Sequence, residues 1–251
     1  MVQAPQRTAV SGPTLVRLLA RLTAADACAS SQSLSDQLSQ WLGWTDAIAL
    51  STALNTAPPA VASGARGAGS AGSESARVRA ALADAIAGDS VLAPKRRRGS
   101  AHHAPAEAEL SYADFRQCYL ALQQAMETRI GSLRGRLRSL LAAQTPDMTR
   151  LAVVDAIMER SLGARERSLL GAVPGMLKSH FERLQKAAQA EQAAQVQSEG
   201  ASRDQAGAAA TRAQPGAWLD VFRKDMQSVL LAELDIRFQP VEGLLAALRI
   251  S

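Results

Sequence analysis

The chain has 251 residues, of which 47% are hydrophobic but only 4% are aromatic. Because much of the apolar fraction is alanine, we expect one or two domains with a thin, leucine-rich core shared between helices. The formal net charge of +5 permits an acidic partner, nucleic acid or an anionic membrane surface, but requires none of them. No apolar run approaches the roughly 18 residues of a membrane span.

Residues 1–10 lack the apolar core of a signal peptide, and we expect them to form a disordered tail. The two cysteines, Cys28 and Cys118, have no neighbour at metal-ligand spacing, which indicates free thiols in a reducing compartment. Together these features predict a cytoplasmic protein without a membrane span.

Residues 11–55 predict a small module of three short helices. Leucines repeat at helical spacing in the first two, and Trp41 and Trp44 flank a turn at Gly43. A helix-turn-helix that binds DNA is a poor interpretation, because no Lys or Arg occurs between Leu22 and Ala65 and a recognition helix needs cations near phosphates. We interpret the two tryptophans as core and turn residues or, alternatively, as a pair that anchors a partner.

Residues 56–110 are rich in Ala, Gly, Ser and Pro, which predicts a flexible linker. A weak helix is expected over 75–87 within it. The linker also carries a short basic tract that is a candidate contact for phosphate or anionic lipid. The tract consists of Lys95, Arg96, Arg97 and Arg98.

The strongest pattern is a heptad seam on a long helix predicted over 111–144. Its apolar residues recur in steps of three and four, which places them on one side of a helix that packs against another helix. The seam consists of Tyr112, Phe115, Tyr119, Leu122, Met126, Ile130, Leu133, Leu137 and Leu140. A turn at Thr145-Pro146 starts the next helix, so residues 111–186 should form an antiparallel hairpin. Pro174 should kink or break its second arm.

Four arginines lie beside the seam, at the positions where charged residues select a helical partner. They are Arg129, Arg134, Arg136 and Arg138. One interpretation is an acidic partner surface or nucleic-acid phosphate. The alternative is pairing inside the chain with acids such as Asp155, Glu159, Glu166, Asp225 or Glu233.

Residues 187–216 are a low-complexity Ala/Gln linker whose first half favours helix. Residues 217–251 predict a C-terminal helix that packs on the hairpin, with an interruption at Pro240. We find no strand pattern, so the predicted class is all-α: a long helical hairpin or bundle with a small N-terminal module and low-complexity linkers.

The sequence offers little support for catalysis, and we expect no enzyme, cofactor or metal. It lacks a phosphate-binding loop after a strand, a nucleophile elbow and paired Glu-x-x-His motifs. The leading hypothesis is a non-enzymatic interaction or scaffold protein that contacts protein partners through helices, with homo-oligomers as one form. The alternative is a nucleic-acid-associated protein that uses the basic tract and the arginines of the long helix.

Several segments resemble an uncharacterised family, a domain of unknown function from Burkholderia-like and Pseudomonas-like proteobacteria. The segments are 15–22, 40–47, the stretch around 115–141 and 238–245. The resemblance implies an all-helical protein without assigned catalytic residues. It further implies a cytoplasmic accessory of an envelope-associated, motor-like complex.

Overall fold

The computed structural model describes residues 12–23, 33–56, 68–93, 110–201 and 216–250. These residues form eight helices and contain no strand, which confirms the all-α class. In chain order the helices are α1 (Thr14–Thr23), α2 (Leu34–Trp41), α3 (Trp44–Asn55), α4 (Ala68–Gly88), α5 (Tyr112–Ala142), α6 (Pro146–Gly171), α7 (Val173–Ala201) and α8 (Ala217–Ile250).

Helix α5 is the central strut of the bundle and packs against α4, α6, α7 and α8. It begins at a capping box, in which the backbone N–H of Ser111 donates to Asp114 Oδ2 at 2.8 Å. The predicted seam faces the core, and only its two ends, Tyr112 and Leu140, are not fully buried. The heptad pattern therefore located the core side of this helix correctly.

The turn between α5 and α6 forms where the sequence predicted it. Thr145 Oγ1 accepts a hydrogen bond from the backbone N–H of Met148 at 3.2 Å, and Pro146 occupies the first helical position. The predicted break also occurs: α6 ends at Gly171, and Pro174 lies in the first turn of α7, where its missing N–H costs nothing.

The prediction that Pro240 interrupts the last helix is wrong. Helix α8 runs through it without a break, although the proline removes a backbone hydrogen bond and crowds the carbonyl four residues earlier. Phe238 and Val241 are almost fully buried beside it, so packing of both halves on the core offsets this cost.

Helix α4 is longer and better packed than the weak helix predicted over 75–87. It packs on α5 and α8, and Leu82 and Ile86 are buried in the core. Arg79 also bridges to two acids of α8, Asp235 at 2.5 Å and Glu242 at 2.6 Å. A helix with few large apolar residues is thus stabilised by neighbours that are distant in sequence.

The three N-terminal helices contact two separate parts of the bundle. Helix α1 packs on α7 and α8 and inserts Leu15 and Leu22 into the core, whereas α2 and α3 pack on α6. The grouping of residues 11–55 as one module stays a prediction. Across the described residues, no helix is long and apolar enough to cross a membrane.

Candidate interaction sites

Arg134 and Arg138 are engaged inside the chain. Arg134 Nη2 lies 2.6 Å from Asp155 Oδ1, and Arg138 Nη1 lies 2.5 Å from Glu159 Oε2. Burial disfavours the charged form of Arg138, but its hydrogen bonds to Glu159 and Asp155 prevail and raise its pKa. These pairs hold α5 against α6, in agreement with the internal alternative for these two arginines.

The other two arginines of the long helix differ from each other. Arg136 pairs with Glu74 of α4 at 2.5 Å. Arg129 is exposed and lines a shallow groove between α4 and α5 with Glu74, Arg77 and Val78. Among the described residues no carboxylate lies within ion-pair distance of Arg129, so it alone of the four arginines keeps an unpaired charge. The basic tract from Lys95 to Arg98 lies outside the described residues.

The two tryptophans have different surroundings. Trp41 is half-buried, and the guanidinium of Arg165 lies 5.3 Å from its ring centroid, which links α2 to α6. Trp44 is 81% exposed, and Ile48, one turn later on the same side of α3, is 50% exposed. The opposite side of α3 faces α6 through half-buried Asp46, Ala49, Leu50 and Ala53. Trp44 and Ile48 therefore form an apolar surface on a docked helix.

A buried polar cluster lies inside the bundle, and the sequence analysis did not predict it as a cluster. Glu233 is fully buried and accepts hydrogen bonds from Tyr119 at 2.7 Å, Gln123 at 3.0 Å and Arg237 at 2.9 Å. Arg237 also pairs with Glu166 of α6 at 3.1 Å. Burial, followed by the adjacent Glu233 carboxylate, raises the pKa of Tyr119 far above its ordinary range.

This cluster ties α5, α6 and α8 together. Every buried side-chain polar atom in it has a partner, and Gln123 also donates to the Leu170 carbonyl at 3.0 Å. A signal was present in the sequence, because Tyr119 and Gln123, and likewise Glu233 and Arg237, are four residues apart on their helices. We interpret the cluster as a register-setting contact of the bundle.

A second polar contact joins α7 to α8. His180 is buried, and its Nε2 lies 2.9 Å from Asp225 Oδ2, while its ring packs beside Phe222. His180 therefore lies beside the aromatic side chains of the core. In the parts of the chain that the structure describes, no three acidic, His or Cys side chains come together as metal ligands.

Cys118 is a free, buried thiol on α5. Burial, followed by a hydrogen bond and the negative charge of Asp89, raises its pKa to about 12 from an ordinary value of 9.0. Because the thiolate is the reactive form, this thiol is protected from alkylation at neutral pH. Cys28 lies outside the described residues.

We expect Cys118 to make the protein less stable at alkaline pH. Between pH 9 and about 12 the unfolded thiol loses its proton while the folded thiol keeps it. The free energy of unfolding should then fall as pH rises, by up to about 1.4 kcal/mol per pH unit for this group. Urea unfolding of the wild type and of Cys118→Ala between pH 8 and 11 measures the effect. The variant separates the titration of Cys118 from that of the tyrosines. Equal slopes of the unfolding free energy against pH in the two proteins would contradict the prediction.

Comparison with known families adds one finding. A family model described as a protein of unknown function (DUF3348) matches residues 1–250. This match confirms the resemblance to an uncharacterised family over nearly the whole chain. No curated protein and no solved structure matches the chain significantly.

Proposed function

Because the chain belongs to the DUF3348 family, whose function is unknown, we propose a function from its surface. The protein is a non-enzymatic helical interaction protein that binds an amphipathic helix of a partner protein on the outward side of α3. Trp44 and Ile48 are the anchors of this surface.

The exposure of Trp44 is the observation that carries this proposal. Tryptophan is strongly enriched among the residues that dominate the binding energy of protein interfaces. Trp44 and Ile48 lie one turn apart on α3 and are 81% and 50% exposed, and contact with α6 already orders that helix. Little conformational entropy would be lost when a partner covers them.

The charge of this region defines the partner further. Residues 33–56 contain no Lys or Arg, in a chain whose net charge is +5, and Asp36 is exposed whereas Asp46 faces α6. A partner helix with an apolar stripe flanked by basic residues would complement this surface.

The second candidate is nucleic-acid association, which the groove with Arg77 and Arg129 favours. Carboxylates of the same chain already pair with Arg134, Arg136 and Arg138, and this weakens the proposal. Binding to random DNA or RNA at two salt concentrations tests it, because phosphate contacts lose affinity steeply as salt rises.

We also propose that the protein is cytoplasmic and acts as an accessory of an envelope-associated complex. Cell fractionation tests this location.

Photo-crosslinking tests the main proposal. A photoreactive residue placed at position 44 in the full chain should capture a partner in the source cells, whereas one at the exposed position of Val221 on α8 should not. Trp44→Ala should then weaken binding of that partner by about 2 kcal/mol or more and change the free energy of unfolding by less than about 0.5 kcal/mol. Unchanged affinity in Trp44→Ala would contradict the proposal.

A further inference from the structure

One apolar residue of α6 is buried away from the core of the bundle. Ile157 is only 7% exposed, yet it is absent from the continuous cluster of buried core residues. At about 100° per residue it lies roughly 200° around the helix from Asp155 and Glu159, which pair with α5. The other helices on α6 are α2, α3 and, at its end, α7. Among the described residues, α2 and α3 are therefore the helices on the side of α6 that carries Ile157.

The side of α6 around Ile157 combines small side chains with arginines. Val154 and Ser161 are half-buried next to it, and Arg160 and Arg165 flank it. Arg150 lies two turns earlier on the same side; its Nη1 pairs with Asp147 at 2.9 Å, whereas its Nε is buried without a hydrogen-bond partner. We name this side of α6, from Arg150 to Arg165, the α6 outer face. Its charge favours an acidic occupant.

Helices α2 and α3 match this charge but fit loosely. They bring half-buried Asp46 and no cation to this side, and Trp41 stacks on Arg165. Among their described side chains none is buried, so their contact rests on half-buried residues such as Leu50. By contrast, α1 inserts two fully buried leucines into the main core. Elements with so few buried contacts open at low free energy while the rest of the protein stays folded.

From these observations we infer that the α6 outer face is a docking site for an acidic amphipathic helix of a partner protein, and that α2 and α3 occupy this site in the unbound chain. Because α2 and α3 belong to the same chain as α6, they compete with the partner helix for this face at the high effective concentration of a tethered segment. The partner binds only when they leave, and its carboxylates then meet Arg150, Arg160 and Arg165. This site differs from the Trp44 surface in position and in the charge of its partner, and it does not depend on it.

A peptide of residues 33–56 is the probe for this site. Labelled with fluorescein, it is titrated into the full-length protein carrying either Leu50→Asp or Ser51→Asp. Both variants place the same new charge on α3, but Leu50 faces α6 and Ser51 is exposed. Leu50→Asp should loosen the internal helices and raise the affinity for the peptide about tenfold or more, whereas Ser51→Asp should bind it as weakly as the wild type.

Two further changes show where the peptide binds. Ile157→Asp, added to Leu50→Asp, should abolish binding, and Arg160→Glu with Arg165→Glu should weaken it about tenfold. A peptide with Asp46→Asn should also bind more weakly. Equal binding by the Leu50→Asp and Ser51→Asp proteins, or binding that survives Ile157→Asp, would overturn the inference.

Hydrogen exchange of the wild-type protein tests the opening without any substitution. The amides of α2 and α3 should exchange together and much faster than those of α5. Protection of α2 and α3 equal to that of α5 would show that the site stays closed, and would overturn the inference even if the variants fold poorly.

Discussion

Replacing Glu233 with alanine is expected to lower the free energy of unfolding by about 3–5 kcal/mol, because it leaves the buried charge of Arg237 without its main partner. Glu233 is fully buried, and the change also removes the acceptor of Tyr119 and Gln123. Urea denaturation at neutral pH measures the loss. Glu242→Ala is the matched control, since it removes an exposed acid of α8 that pairs with Arg79, and it should cost less than about 1 kcal/mol.

A double variant separates the cost of an unpaired charge from the value of the pair. Removal of both partners, in Glu233→Leu with Arg237→Met, should cost less than Glu233→Ala alone, because an apolar replacement of a buried ion pair is often nearly neutral. A loss in Glu233→Ala as small as that in Glu242→Ala would show that the cluster contributes no more than a surface ion pair.

Replacing Phe222 with alanine is the second large effect that we expect, again about 3–5 kcal/mol of unfolding free energy. Phe222 is fully buried at the junction of α5, α7 and α8, where ring centroids lie 5.0 Å from it for Phe115 and Phe181 and 6.4 Å for Tyr112. In a chain with 4% aromatic residues, this aromatic cluster supplies much of the bulky apolar side-chain volume of the core.

The neighbouring residue provides the control for Phe222→Ala. Val221 is 49% exposed, so Val221→Ala should change the free energy of unfolding by about 0.5 kcal/mol or less. Thermal or urea unfolding of both variants gives the comparison. Similar losses in the two variants would mean that the aromatic cluster does not anchor the bundle.

Not all of the candidate interaction sites could be predicted from the sequence. The sequence identified the arginines beside the seam as groups that pair either with a partner molecule or with an acid of the same chain. Their positions along α5 do not distinguish these two alternatives. Arg134 and Arg138 meet Asp155 and Glu159 because α6 folds back beside them. Arg129 instead lines a groove in which Glu74 pairs with Arg136, and no carboxylate of the described residues lies within ion-pair distance of Arg129. The exposure of Trp44 likewise depends on which side of α3 docks on α6.

The sequence alone determined those features that act within one or two helical turns. The apolar spacing of α5, the Thr145-Pro146 turn and the break at Pro174 are local, because each depends on neighbours three or four residues away. Only the tertiary structure decided whether α4 is a weak or a packed helix, whether α8 continues through Pro240 and which acids pair with the arginines. Those outcomes depend on contacts between residues far apart in the chain, whose burial outweighs the local preferences of each segment.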